Sequence, residues 1–85
     1  MFTARFETND STRNNICGLS IKKLRKSLRW SQRILAERLE DCNLFIDKNA
    51  VQRIESGQRF LTDIEMIAFA KVFNVTITDL YGPHI

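Results

Sequence analysis

The chain has few of the residues that build disulfide-bonded, metal-binding or phosphate-cradling proteins. Its 85 residues include two cysteines, one histidine, one proline and three glycines. One histidine and two distant cysteines do not form a zinc ligand set, and they provide no Cys–His or Ser–His–Asp arrangement for nucleophilic catalysis. No glycine-rich loop is present to hold a phosphate, and the carboxylates are scattered. The composition therefore argues against an enzyme and implies no cofactor or metal.

Long apolar runs are absent as well, which excludes a membrane span. Residues 1–17 alternate polar and apolar side chains and carry several charges, unlike the apolar core of a secretory signal. Because nothing indicates export, we expect Cys17 and Cys42 to be reduced thiols, with a disulfide between them as the open alternative. The expected location is the cytoplasm.

Positive charge is concentrated in one segment. The net charge of the chain is only +3 at pH 7, from 13 basic and 10 acidic residues. Between positions 20 and 38, seven basic residues stand against Glu37 alone, which is a net charge of +6. Residues 1–19 are neutral in sum and residues 39–85 are net acidic. This asymmetry favours a polyanion, with nucleic acid as the first candidate.

Apolar residues recur at helical spacing in five segments, and no segment shows the sustained period of two that a half-buried strand requires. We therefore predict an all-α fold of five helices. The predicted helices cover about residues 20–28, 32–41 and 48–56, the stretch between Thr62 and Asn74, and a last turn from Thr76 to Tyr81.

Cap residues support these helices. Ser31 and Asp47 are good N-caps, and the T-D-I-E sequence from Thr62 is a capping box. Trp30 lies between the first two helices and is expected to be a core or turn residue, whereas His84 has no ligand partners. The expected organisation is a flexible N-terminal arm over residues 1–17, one domain over residues 18–82 and a short tail over residues 83–85.

The second and third predicted helices have the arrangement of a helix-turn-helix DNA reader. A set of short motifs accompanies them: Leu24-Arg25, Ser31-Gln32, Leu35-Ala36, Val51, Arg53-Ile54-Glu55-Ser56-Gly57, Phe69-Ala70-Lys71, Phe73-Asn74-Val75 and Leu80. Together these motifs resemble the lambda-repressor and Cro class of helix-turn-helix regulators, over about residues 18–82. The resemblance implies the lambda-repressor-like form of the five-helix fold.

The connection between the two reading helices departs from the usual form of that family. Gln32 and Glu55 are 23 positions apart, several more than is usual, and the surplus falls between Leu39 and Ile46. The tight glycine turn is also absent. Family members with an Asn-Ala-Ile or Asn-Ala-Val helix start and a T-D-I-E fourth helix are similar to this longer form, so the departure indicates a subtype. The angle between the two helices is left open.

The third helix provides the candidate base readers. Lys48, Asn49 and Gln52 lie opposite its apolar face, so we expect them in the major groove, where Asn or Gln pairs with adenine and Lys with guanine. Arg53 can read a base or bind the backbone. Gln32, at the start of the second helix, is expected to direct its amide and the helix N–H groups at a phosphate.

Two further pairs of residues complete the expected site. Arg59 and Thr62 follow the recognition helix and are expected to meet the far phosphates of the duplex. Arg25 and Glu55 match the positions that pair across the first and third helices in the family, and the resemblance therefore implies a structural ion pair.

The resemblance implies sequence-specific binding of double-stranded DNA by a transcriptional regulator of bacterial or phage type, associated with the nucleoid and acting by repression. One small reader makes few base contacts, so we expect a homodimer on a palindromic operator. Its contact surface is expected around Ile77, Tyr81 and the Pro83-His84-Ile85 tail, with Phe2, Phe6 and Ile16 of the arm as the next candidates. The alternative is an antitoxin or regulatory adaptor acting mainly through protein contacts. A helix lying on a membrane surface is disfavoured.

Overall fold

Five α-helices follow one another in the computed structural model, which describes residues 13–81. No strand is present within that range. The all-α fold of five helices predicted from the periodicity is therefore confirmed. The helices are α1 (Cys17–Ser27), α2 (Gln32–Glu40), α3 (Lys48–Glu55), α4 (Asp63–Phe73) and α5 (Ile77–Tyr81).

Side-chain caps fix where the helices begin. Ser31 Oγ accepts the amide N–H of Ile34 at 3.0 Å, and Asp47 Oδ1 accepts that of Ala50 at 2.8 Å. Thr62 caps α4 in a complete capping box. Each cap satisfies a backbone donor that the first turn of a helix leaves free, so the predicted starts of α2, α3 and α4 are confirmed.

The core collects one apolar face from every helix. Its fully buried side chains interlock α1, α2, α3, α4 and α5 in a single cluster, and the seven largest of them are Ile21, Leu35, Leu39, Val51, Ile54, Phe69 and Leu80. Trp30 lies at the edge of this cluster, where its ring stacks on Phe73 with centroids 5.9 Å apart. The guanidinium of Arg38 covers the same indole at 5.3 Å. Trp30 therefore packs in the α1–α2 turn, as predicted.

The N-terminal boundary differs from the prediction. α1 begins at Cys17 rather than near Ser20, and Asn15 Oδ1 accepts the amide N–H of Gly18 at 2.7 Å. Cys17 and Gly18 are buried, so this added turn extends the apolar face of the helix. Residues 13–17, which were assigned to the arm, are thus bound to the domain. Residues 1–12 and 82–85, with Phe2, Phe6 and the predicted tail, lie outside the described residues.

Both cysteines are free thiols. Cys17 is only 3% exposed, and burial raises the pKa of its thiol, whereas Cys42 is half-buried in the α2–α3 connection. Within residues 13–81 no helix is long and apolar enough to cross a membrane. The same stretch contains no group of three or more His, Cys, Asp or Glu side chains arranged to hold a metal ion.

The difference in burial predicts a difference in thiol reactivity. At neutral pH, a thiol reagent should modify Cys42 rapidly and Cys17 only as the protein unfolds, because the thiolate is the reactive form and Cys17 is both enclosed and protonated. Timed mass spectrometry of labelled protein checks this. Cys42→Ser should abolish the fast phase, and both thiols should react fast in denaturant. A fast phase that survives in Cys42→Ser would contradict the burial of Cys17.

Candidate nucleic-acid interface

α3 has an apolar face that is buried and a polar face that is exposed. Ala50, Val51 and Ile54 are buried in the core or at its edge. Asp47 holds the N-terminal turn of the helix in place through its cap. The opposite positions are all exposed, and they carry Lys48, Asn49, Gln52 and Arg53. The four side chains predicted to read or clamp DNA therefore share one solvent-facing surface.

The N-terminus of α2 offers backbone donors. The first bonded amides of this helix are those of Ile34, which donates to Ser31 Oγ, and Leu35, which donates to the Ser31 carbonyl at 3.0 Å. The N–H groups of Gln32 and Arg33 precede them and have no acceptor within the helix. Such free donors at the positive end of a helix dipole suit a phosphate group.

The side chain of Gln32 has a hydrogen-bond partner within the domain. Its amide nitrogen donates to Glu55 Oε1 at 3.0 Å. This bond ties the first residue of α2 to the last residue of α3. Gln32 stands at the helix start as expected, and one of the two N–H donors of its side-chain amide connects the two reading helices.

Glu55 is the centre of a buried polar cluster. Glu55 is 4% exposed, and the expected pair with Arg25 is present. Arg25 Nε donates to Glu55 Oε2 at 2.6 Å, and Arg25 Nη2 donates to Glu55 Oε1 at 3.0 Å. The remaining guanidinium nitrogen, Nη1, donates to the Trp30 carbonyl at 2.7 Å. One carboxylate thus links α1, the turn that follows it, α2 and α3.

Residues 13–15, which we term the clasp, hold the C-terminal end of α3. Arg13 Nη2 donates to the Glu55 carbonyl at 2.8 Å, and the Asn14 amide donates to the Gly57 carbonyl at 2.7 Å. Asn15 Nδ2 donates to the carbonyls of Ile54 and Arg59, at 3.1 and 2.6 Å. The Glu55 carbonyl lies at the end of α3, where a helix leaves carbonyls without an intrahelical partner, and those of Gly57 and Arg59 lie in the loop that follows.

Two glycines allow this arrangement. Gly57 has a φ of 84°, and a Cβ there would collide with the Arg13 side chain. At Gly18 a Cβ would collide with the Ile54 carbonyl, so glycine lets α1 approach α3 closely. The clasp could not be predicted from the sequence, because its partners lie about forty positions away and the R-N-N sequence has no apolar periodicity to mark it.

The longer connection between α2 and α3 is built around Asn43. Its φ of 64° is left-handed, a conformation that asparagine tolerates, so it serves where the family's usual turn has glycine. The amide of Leu44 then donates back to the Leu39 carbonyl at 3.0 Å. Leu44 and Ile46 pack against the core, while Phe45 between them is 73% exposed. The added residues are therefore anchored at two points beside the start of α3.

Arg59 and Thr62 both have Glu65 as a structural partner, which for Arg59 the sequence pattern did not indicate. The Arg59 guanidinium donates to both carboxylate oxygens of Glu65, with Nη2 to Oε2 at 2.8 Å. Thr62 Oγ1 accepts the Glu65 amide, and the Thr62 amide donates to Glu65 Oε1. The charge of Arg59 is thus compensated within the domain.

The pKa of Glu65 reflects this environment. Burial opposes its ionisation, but the Arg59 hydrogen bonds, the Thr62 amide and the Arg59 charge together outweigh burial and hold the pKa of the carboxyl below its ordinary value of 4.5. The ionised form of Glu65 is therefore the one that fits the fold.

The basic segment becomes a cationic face on α1. The charge of Arg25 is paired with that of Glu55. Arg33 Nε lies 3.8 Å from Glu37 Oε2 in an exposed contact. No carboxylate of residues 13–81 lies within 4.0 Å of the other basic side chains of α1 and its C-terminal turn. These exposed cations are Lys22, Lys23, Lys26 and Arg29.

The family assignment agrees with this geometry. The helix-turn-helix family model of the Cro/C1 type matches residues 21–80, which is well over half of the chain. The protein therefore belongs to this family, whose domain is a DNA-binding module of transcription regulators. No curated protein and no solved structure gives a significant match to the chain.

The burial of Glu55 predicts a large loss of stability on truncation. Glu55→Ala leaves Arg25 charged and unpaired in the core, so the free energy of unfolding should fall by about 3–5 kcal/mol. Denaturant titration measures it. Glu37→Ala, which breaks the exposed pair with Arg33, is the matched control and should cost about 0.3–0.5 kcal/mol. Removing Arg25 and Glu55 together should cost much less than the two single losses added; additive losses would mean that the pair is not coupled.

The lowered pKa of Glu65 predicts a pH dependence. A carboxyl with a lower pKa in the folded than in the unfolded state stabilises the fold above its unfolded pKa, and that stabilisation is lost as the pH falls through the folded-state pKa. Thermal melts of the wild type should therefore lose stability below about pH 4.5. Glu65→Gln should be less stable at neutral pH and should show a shallower acid loss. Exposed Glu37→Gln should keep the wild-type acid profile, and an unchanged profile in Glu65→Gln would contradict this account.

Proposed function

We propose that the protein binds one specific operator in double-stranded DNA and represses transcription from it, as a cytoplasmic, nucleoid-associated regulator. The supporting observation is the exposed polar face of α3, which carries Lys48, Asn49, Gln52 and Arg53 on a helix whose opposite side is buried. The major groove of B-DNA admits a helix of this kind.

The roles of the α3 side chains follow from their donors and acceptors. Asn49 and Gln52 each carry an amide that can donate and accept, as bidentate pairing with adenine requires. Lys48, at the first position of the helix, can donate to the acceptors of guanine. Arg53 lies one turn after Asn49 and can reach a guanine or the backbone. This division of roles assigns base reading mainly to the first five residues of α3.

The phosphate contacts come from other parts of the domain. The free N–H groups of Gln32 and Arg33 can bind a phosphate oxygen and thereby fix the register of the protein on the duplex. The cations of α1 add long-range attraction. Arg59 and Thr62 take a supporting role in this proposal, because Glu65 compensates the charge of Arg59 and the capping box occupies Thr62.

Repression and a two-fold operator are the simplest consistent mode of action. A domain that occupies DNA can block a promoter without any contact to polymerase. One copy of α3 reads only a few base pairs, so specific binding requires two half-sites about one helical turn apart and therefore a homodimer on a palindromic sequence.

Selection of bound sequences from a random duplex library tests the proposal. A palindromic consensus is the expected result. Affinity for the selected duplex should then fall steeply as the salt concentration rises, because neutralised phosphates release counterions. DNA binding would be contradicted if no sequence were selected and if the affinity for mixed duplex DNA did not depend on the salt concentration. That outcome would favour a module that works through protein contacts.

Single substitutions on α3 test the base-reading roles. Asn49→Ala and Gln52→Ala should each weaken binding to the selected duplex by about 1–3 kcal/mol and leave binding to scrambled duplex nearly unchanged, since they remove base contacts only. Fluorescence anisotropy at fixed salt measures both affinities. Gln58→Ala, an exposed glutamine beyond the end of α3, is the matched control and should bind as the wild type does. Equal losses on both duplexes would contradict base reading.

A further inference from the structure

The clasp lies outside the part of the chain that the family model matches. That match covers residues 21–80, whereas the clasp consists of residues 13–15. All three clasp residues nevertheless donate hydrogen bonds to main-chain carbonyls at the end of α3 or in the turn after it. The clasp is therefore an element that the matched domain does not include, and it acts on the helix proposed to read DNA.

Asn15 links the start of α1 to the end of α3 through a single side-chain amide. Its Oδ1 accepts the amide N–H of Gly18 at 2.7 Å. Its Nδ2 donates to the carbonyls of Ile54 and Arg59, at 3.1 and 2.6 Å. Both N–H donors of the amide and its oxygen are thus engaged. The side chain therefore fixes the distance between α1 and the main chain at the end of α3.

The surroundings of Asn15 leave this contact little room to shift. Arg13 Nη2 donates to the Glu55 carbonyl, and Arg13 Nε donates to the Asn15 carbonyl at 3.0 Å, so one guanidinium joins α3 to the clasp. A Cβ at Gly18 would collide with the Ile54 carbonyl and with the side-chain oxygen of Asn15. The end of α3 is therefore held closely while the clasp is intact.

The base readers lie towards the opposite end of α3 from the clasp. The helix has eight residues and is therefore about 12 Å long. A tilt of about 10° about its C-terminal end moves its N-terminal end by about 2 Å, whereas a hydrogen bond tolerates a range of only about 0.5 Å in donor–acceptor distance. Such a tilt would separate Lys48 and Asn49 from their bases. The phosphate donors of α2 and the cations of α1 lie on other helices and would keep their places.

We propose that the clasp, and Asn15 in particular, positions α3 for base reading and thereby sets the discrimination between DNA sequences. This inference rests on the proposed function, in which α3 reads bases. Arg25 holds the end of α3 through the side chain of Glu55, whereas the clasp holds it through main-chain carbonyls, so the two constraints act on different atoms. In this role the clasp does not touch DNA and acts only through α3.

Asn15→Ala tests this role. The substitution removes all the hydrogen bonds of the side chain, so binding to the selected duplex should weaken about tenfold, while binding to scrambled duplex should stay within about twofold of the wild type. Fluorescence anisotropy measures both affinities at a temperature where thermal melts show that the variant is folded. A merely structural role gives a different result, because partial unfolding reduces the fraction of competent protein and lowers both affinities by the same factor.

Asn14→Ala is the matched control. The Asn14 side chain donates only to the Gln58 carbonyl, in an exposed contact beyond the end of α3, and its backbone amide keeps the bond to Gly57 after the substitution. This variant should discriminate between the two duplexes as the wild type does. A loss of discrimination as large as that of Asn15→Ala would overturn the proposal.

Arg13→Ala is the second variant, and it decides the question if Asn15→Ala does not fold. It removes the bond to the Glu55 carbonyl and leaves the bonds of the Asn15 side chain in place, so discrimination should fall by about threefold. Equal losses on both duplexes, or full discrimination in the folded clasp variants, would overturn the proposal.

A measurement without DNA separates this inference from the proposed function. In NMR spectra of the free protein, Asn15→Ala should shift the amide signals of Lys48 and Asn49, at the far end of α3, more than that of Glu37 on α2. Unchanged signals at Lys48 and Asn49 would overturn the inference. If the wild type selects no DNA sequence, the proposed function fails, and these signals still decide whether the clasp orients α3. If the wild type selects a sequence that Asn15→Ala reads equally well, the inference fails and the proposed function stands.

Discussion

The reading helix is positioned by one buried carboxylate. Glu55 lies at the last residue of α3 and receives hydrogen bonds from Arg25 of α1 and Gln32 of α2, so a movement of any of these helices changes its bonds. Within residues 13–81 no buried side-chain nitrogen or oxygen is left without a hydrogen-bond partner, which is the condition under which a buried charge can be tolerated. The angle between α2 and α3, which sequence spacing left open, is therefore set by this cluster as well as by the core.

α3 needs such support because it is too short to be stable alone. A helix of eight residues forms few internal hydrogen bonds after the cost of nucleation, so its stability comes from its surroundings. Asp47 caps its first turn, the core covers Val51 and Ile54, and the clasp satisfies the carbonyls at its end. All of these contacts lie at the ends of α3 or on its buried side. The polar side chains of the outward face can therefore be replaced with little loss in the stability of the fold.

Local signals in the sequence predicted much of the fold. The caps at Ser31 and Thr62 act within three residues of their partners, and the apolar spacing of α4 follows the helical period, so both can be recognised without a structure. The pair of Arg25 and Glu55 followed from the family resemblance. The clasp, the Gln32 bond and the Arg59–Glu65 pair were not predicted, because each depends on which side chain among several polar ones the tertiary fold brings close. A polar residue has no periodicity that would reveal a partner forty positions away.

The apolar pattern of α4 also does not show which of its side chains the fold buries. Ile64 and Ile67 belong to an apolar series wide enough to suggest a fully buried helix, yet the domain has too few layers to cover α4 on every side. An apolar side chain that the fold cannot bury carries a solubility cost, which a small monomer is poorly placed to tolerate.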